Sequence, residues 1–262
     1  MFCCAKFTVS TLCLGILLAG SSSQQVNAAP AETAPEALVS TITEIESAAN
    51  AQNIELLMSL YGSSFEGPDG FTRAQYQETL SQFWAQYSML AYEVDLLSWE
   101  TDGNAFLAET VTTVEGRQQS AGRDWILSAE VRSRQRFENG QVVSQVILSE
   151  HAQLQSGAMP PTVAIRLPES VPLGQSFTFD AIVKEPLGNR LLLGRALNEG
   201  VTAEDFLTPR PLNLEQLTAG GLFKIGQAPD EADQLWISSV LVREDGVVVD
   251  TRRLSVSNKA SN

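Results

Sequence analysis

Cysteine, histidine and basic charge are all scarce in this chain. Of its 262 residues three are cysteine, and Cys3, Cys4 and Cys13 all stand near the start. Nothing after Cys13 can form a disulfide, act as a thiol nucleophile or bind a metal through thiolate. The one histidine, His151, excludes a multi-histidine metal site, and a Cys-His pair is excluded beyond Cys13. A Ser-His-Asp triad would have to use His151, and no nucleophile-elbow motif accompanies it. No phosphate-binding glycine loop or EF-hand loop occurs. The residues therefore call for no metal and no cofactor. Lys and Arg number 17 against 31 Asp and Glu, a formal net charge of −14. Such a surface repels phosphate backbones and anionic headgroups, so nucleic acid is not an expected partner.

Long hydrophobic runs are missing too. The longest, Phe7 to Gly20 behind Lys6, is too short for a comfortable bilayer span. With the polar stretch ending Val26-Asn27-Ala28 it has the form of a secretory signal peptide. Cleavage near Ala28 and export to the periplasm or extracellular space are the expectation, with no transmembrane span in the mature chain. Ser10-Thr11-Leu12 before Cys13 lacks the small residue of a lipidation site, so no lipid anchor is expected.

What is present begins with a hairpin. Asp124 to Phe137 and Val142 to Gln153 flank Asn139-Gly140, a pair suited to a type I′ turn because both central residues need positive φ. A two-residue loop places Phe137 opposite Val142, Val131 opposite Leu148, Ala129 opposite Glu150 and Leu127 opposite Ala152. Alternation then puts Leu127, Ala129, Val131, Phe137, Val142, Val146 and Leu148 on one apolar face. Glu130, Arg132, Arg134, Arg136 and Ile147 take the other, with Ser128 opposite His151. Glu150 is the odd member, a carboxylate on the apolar side. A bulge would move it outward.

Upstream, Leu38, Ile42, Ile45 and Ala49 recur at helical spacing, and Asn53 caps a short helix from Ile54 to Tyr61. Thr72 and Gln75 form a capping box for a third helix. Its stripe of Tyr76, Leu80, Phe83, Trp84 and Tyr87 is broad enough to lie on a sheet. Tyr92 to Trp99 and Ala105 to Val114, around Asp102-Gly103, make a further hairpin, and Glu115 to Gly122 is expected to be a polar loop. Ser-Gly-Ala-Met-Pro-Pro161 is expected to be a linker. Beyond it lie short strands: Val163 to Leu167, the alternation Phe177, Phe179, Ala181, Val183, then Arg190 to Arg195, Gly221 to Ile225, Leu235 to Arg243 and Val247 to Val256. Thr202-Ala-Glu-Asp205 is expected to open a helical turn.

The order of three helices and an antiparallel meander resembles the nuclear-transport-factor-2-like superfamily, which includes ketosteroid-isomerase-like and SnoaL-like proteins. The resemblance covers Ala37 to Gln155. It rests on Asn53-Ile-Glu-Leu-Leu-Met-Ser-Leu-Tyr61, the aromatic helix and the hairpin from Arg132 to Ser144. It implies a bent sheet wrapped on helices with an apolar pocket at one end, in a family that holds isomerases, hydrolases, dehydratases and non-catalytic binding modules. The expected fold is thus an α+β cone, three helices packed on a bent antiparallel sheet, followed by an all-β immunoglobulin-like sandwich. The expected division is leader 1–28, flexible segment 29–36, cone 37–155, linker 156–161, sandwich 162–257 and disordered tail 258–262.

The pocket candidates are Tyr76, Phe83, Trp84, Tyr87, Val131, Leu148 and Glu150. Glu150 is also the single catalytic candidate, since an unpaired carboxylate on an apolar face is costly unless partnered or functional. The structural alternative is a position at the rim, or a basic partner such as Arg123. The row Arg132, Arg134, Arg136 is an interface candidate for a homodimer; as a plain solvated face it would pair with glutamates on its neighbour. The expected function is an exported, non-enzymatic binding or scaffolding protein holding a small apolar ligand or a protein partner. The alternatives are a lyase or isomerase acting through Glu150, and a structural dimer. A pocket filled by Phe83, Trp84 and Tyr87 would indicate a scaffold; an open one of roughly 300 Å3 or more would indicate a ligand.

Overall fold

The computed structural model describes residues 28–188, 190–201 and 212–258. The leader with its cysteines, the turn expected at Thr202 and the tail beyond Asn258 lie outside the described residues. Among the described residues no helix is long and apolar enough to cross a membrane.

Two strand residues (β1, Ala29–Pro30) precede α1 (Glu36–Asn50) and α2 (Ile54–Ser59). α1 buries Leu38, Ile42 and Ala49 of its apolar stripe, with Ile45 packed against them. The Asn53 side chain accepts the Leu56 N–H at 3.0 Å, the cap that starts α2. β2 (Tyr61–Glu66) leads through a short turn at Pro68–Gly70 into α3 (Arg73–Gln86). There Thr72 and Gln75 make the reciprocal bonds of a capping box. Only Trp84 of α3 is buried outright. Tyr76, Leu80 and Phe83 are partly buried, because they face open space between helix and sheet.

The sheet begins with β3 (Met89–Asp102), β4 (Ala105–Ser120), β5 (Arg123–Glu138) and β6 (Gln141–Gly157). The segment expected as a polar loop, Glu115 to Gly122, is mostly strand. β4 runs on to Ser120, and Ala121 and Gly122 turn it at φ 51° and 72°. Polar cross-strand bonds extend the ladder there: Gln119 Nε2 donates to Asp124 Oδ1 at 2.8 Å, and the Ser128 hydroxyl to Glu115 Oε1 at 2.8 Å.

Asn139 and Gly140 adopt φ of 51° and 76° and pair Phe137 with Val142. Two bulges then interrupt the register, and Val131 lies opposite Glu150, Ala129 opposite Ala152 and Leu127 opposite Leu154. Each bulge adds one residue on β6, Val143 at the first and Leu148 at the second. Between them the faces are reversed from the unbulged reading. Ile147 points inward, opposite Ser133, while Val146 and Leu148 are 58% and 39% exposed. Beyond the second bulge the two shifts cancel in parity, so Glu150 stays inward after all.

The expected fold class is overturned at β6. The later strands are β7 (Val163–Arg166), β8 (Ser170–Pro172), β9 (Ser176–Val183), β10 (Leu193–Gly200), β11 (Glu215–Gln216), β12 (Gly221–Gln227), β13 (Asp233–Arg243) and β14 (Gly246–Ser257). β14 pairs antiparallel with the free side of β6, Val249 opposite Leu154 and Thr251 opposite Ala152. The outcome is not an α+β cone joined to a separate sandwich. Among the described residues it is one mainly antiparallel sheet of 11 strands crossing both parts of the chain, and a three-stranded sheet, β12-β9-β7. The small sheet packs Phe177, Phe179 and Ala181 onto Leu241, Val248 and Leu254 of β13 and β14. The physical sign is in β14 itself: Val247 and Val248 are consecutive and both buried, as are Arg253 and Leu254, and Val249 is half-buried. A strand covered on both faces has a continuous apolar run where a one-sided strand alternates.

Candidate functional site: a cavity beneath two carboxylates and an arginine

A cavity of about 310 Å3 lies between α3 and the inward faces of β4, β5 and β6. α3 contributes Tyr76, Leu80 and Phe83 because these positions recur every three to four residues on one helix face. Val131 and Glu150, cross-strand partners, line it from the hairpin, with Ala129 and Ala152 next along the ladder. The small alanine side chains leave the space that α3 does not fill. The turn before α3 supplies Asp69 and Phe71. Val201, Trp236 of β13 and Arg253 of β14 close the remaining side.

Of the residues singled out above, Tyr76, Phe83, Val131 and Glu150 therefore meet in one place. Trp84 lines a smaller adjoining recess of about 90 Å3 instead. Its indole N–H donates to the Tyr92 hydroxyl at 2.8 Å. Tyr87 packs against Phe83 with ring centroids 4.8 Å apart and the rings tilted by 48°, and it lines neither space. Leu148 is the bulge residue and faces outward.

The polar wall is built around Arg253, whose side chain is 3% exposed. Its Nη1 and Nη2 donate to the two Asp69 oxygens at 2.8 and 2.9 Å. Nε and Nη2 also donate to Glu150 Oε2 at 3.2 and 3.0 Å. Trp236 Nε1 adds a third N–H to the same Glu150 oxygen, at 3.0 Å. Burial works against the Arg253 charge, but the hydrogen bonds to Asp69 and the charges of Glu150 and Asp69 outweigh it and hold the guanidinium above its ordinary pKa. Glu150 thus has a basic partner, Arg253, from about a hundred residues downstream rather than the nearby Arg123. Pairing across that distance leaves no local signal. What the sequence does carry is an arginine adjoining the buried Leu254 within an apolar strand, a position that demands a carboxylate.

The tyrosines at the deep end are neutral. Burial pushes the Tyr92 hydroxyl up to about 12. Burial first, then the neighbouring Tyr76, raises Tyr61 well above its usual value. Gln145 lines both spaces. Its amide nitrogen donates to Ser133 Oγ at 3.2 Å, and its buried carbonyl oxygen has no partner.

Elsewhere, His151 Nε2 lies 2.8 Å from Asp250 Oδ2. It sits opposite Glu130, not Ser128, whose hydroxyl is given to Glu115, so no triad with Ser128 forms. Arg132 pairs with Glu109, Arg134 reaches the same carboxylate at 3.6 Å, and Arg136 pairs with Asp102 and with Glu138 at 2.8 Å. Arg132 and Arg134 are at least half exposed. Among the described residues no group of three or more His, Cys, Asp or Glu side chains is placed to hold a metal ion.

Residues 158–257 match a family described as a domain of unknown function, DUF8623. No curated protein matches the chain in sequence. Similar solved structures include an LEH-like epoxide hydrolase of M. tuberculosis, 12% identical over 42% of this chain and 80% of that one, with a TM-score of 0.30. An uncharacterized cystatin fold protein of Novosphingobium aromaticivorans is 14% identical over 42% of this chain and 95% of its own, at 0.32. A hypothetical protein of Catenulispora acidiphila with a ketosteroid isomerase-like fold is 16% identical over 44% and 85%, at 0.31.

Proposed function

We propose that this is an exported binding protein that encloses a small, largely apolar molecule between α3 and the β4–β6 face. The observation that carries the reading is the open space itself. Phe83 and Tyr76 border the cavity of about 310 Å3 and do not fill it. That volume is within the range of small-molecule sites. Export follows from the leader-like first 28 residues.

Binding is favoured over proton abstraction by the state of Glu150. Its Oε2 accepts three N–H groups, two of them from a guanidinium. Those bonds make the carboxylate a member of a buried ion-pair network, a role that holds charge in place rather than passing a proton on.

The test is displacement of an environment-sensitive apolar dye from the full chain. Ala152→Phe puts a ring into the open space and is expected to abolish dye uptake while leaving the unfolding midpoint within a few degrees. Uptake unchanged by that substitution, or absent from the parent protein, would refute the reading.

A further inference from the structure

We propose that the molecule held in this cavity carries a positive charge on an otherwise apolar frame: a protonated alkyl or arylalkyl amine, rather than a fatty acid or a neutral lipid. The proposal rests on the binding reading above.

The charge count comes first. Asp69 and Glu150 line the cavity against a single cation, Arg253, and no other Lys or Arg lines it among the described residues. The wall is therefore one negative charge in excess. Arg253 is also spent: four of its five N–H bonds already go to the two carboxylates. An entering carboxylate would find no free cation and would face two anions. The balance of Glu150 points the same way. The three N–H groups from Trp236 and Arg253 all reach Oε2, so Oε1 is the oxygen left for a ligand.

The remaining lining suits a cation as well. Phe71, Tyr76, Phe83, Tyr92 and Trp236 present aromatic rings around the space. Ring faces attract ammonium groups, more so where water is excluded. Among the described residues the wall also holds a buried side-chain oxygen without a partner, the Gln145 carbonyl, an acceptor that can take an N–H but not another oxygen anion. A net charge of −14 on the chain adds a field that gathers cations and repels anions.

The experiment is calorimetric titration of the full chain with decylamine, decanol and decanoate at pH 7, all below micelle formation. Decylamine is expected to bind at least about tenfold tighter than decanol, with decanoate weakest, and its advantage is expected to shrink between about 20 and 500 mM salt. Glu150→Gln keeps an acceptor for Trp236 and Arg253 but makes the wall neutral. It is expected to bring decylamine down to the affinity of decanol. Equal binding of all three, a preference for decanoate, or an amine preference untouched by salt and by E150Q would overturn the proposal while leaving the cavity reading standing. Failure of all three to bind would remove both. If E150Q does not fold, the salt dependence and the ranking in the parent protein decide the matter alone.

Discussion

Asp69 and Arg253 stand 184 positions apart in the chain and meet in a two-pronged ion pair at 2.8 and 2.9 Å. Through that pair the turn before α3 is tied to β14, and Glu150 of β6 is tied to both.

Removing the arginine should therefore cost more than a surface charge does. Arg253→Met leaves Asp69 and Glu150 side by side, largely buried, with Trp236 as the remaining donor. Loss of one member of a buried pair costs about 3–5 kcal/mol. We expect urea unfolding to show a loss of about 3 kcal/mol or more, and Arg253→Lys a smaller one, because an ammonium cannot serve two carboxylates through a planar fork. A change under 1 kcal/mol for the methionine variant would mean that the cluster holds nothing together.

The hairpin turn offers a cleaner measurement. Gly140 has φ of 76°, and a Cβ added there would meet nothing within 4 Å. Gly140→Ala consequently tests backbone strain without a clash. An L-residue in the left-handed region costs roughly 1 kcal/mol relative to glycine. A stability loss near that size is the expected result of chemical denaturation, and no loss would show that the turn has another geometry.

Asp250 predicts an acid limb. Its side chain is 2% exposed. Burial opposes its charge, but the hydrogen bond from His151 and the charges of His151 and Arg252 prevail, and its pKa is lowered from 3.8. A depressed carboxylate stabilises the fold fully above its unfolded pKa, and that contribution is lost as pH falls through the folded one. Unfolding followed from pH 6 down to pH 2 should show stability declining below about pH 4, in the range of an ordinary aspartate. In Asp250→Asn that decline should flatten. An unaltered acid limb would assign it to other groups.

Since β6 is hydrogen-bonded to β5 on one side and β14 on the other, the two parts of the chain should melt together. A single transition, coincident by calorimetry and by tryptophan fluorescence, is the expectation. Two resolved transitions would show that the β6–β14 ladder opens independently.

The local features were legible where their causes are local. The cap at Asn53, the box at Thr72 and the turn at Asn139-Gly140 each depend on residues within four positions. The inward aromatic stripe of α3 followed from helical spacing. The faces of β6 were legible only in part, because a bulge is a backbone choice that no side chain in Val143 or Leu148 announces. Unbroken alternation therefore places Val146 and Leu148 on the inner face, where the structure turns them outward. The fold class failed because nothing in Thr251 or Val249 states which strand they will pair with. Alternation reveals that a strand has a wet side, not which neighbour takes its edge. Trp236 and Arg253 were missed for the same reason, although their chemistry, a donor and a cation in apolar strands, is the kind that calls for a distant acceptor.

The placement of Arg253 on β14 also orders events in the making of the molecule. During synthesis β14 emerges after every other described strand. Until then the trough formed by α3, β5 and β6 has no roof, and one flank of β6 shows its bare amides and carbonyls to whatever is near. A nascent chain thus keeps that edge of β6 bare until β14 is made, and the cavity gains its Arg253 wall in the same step that covers the edge.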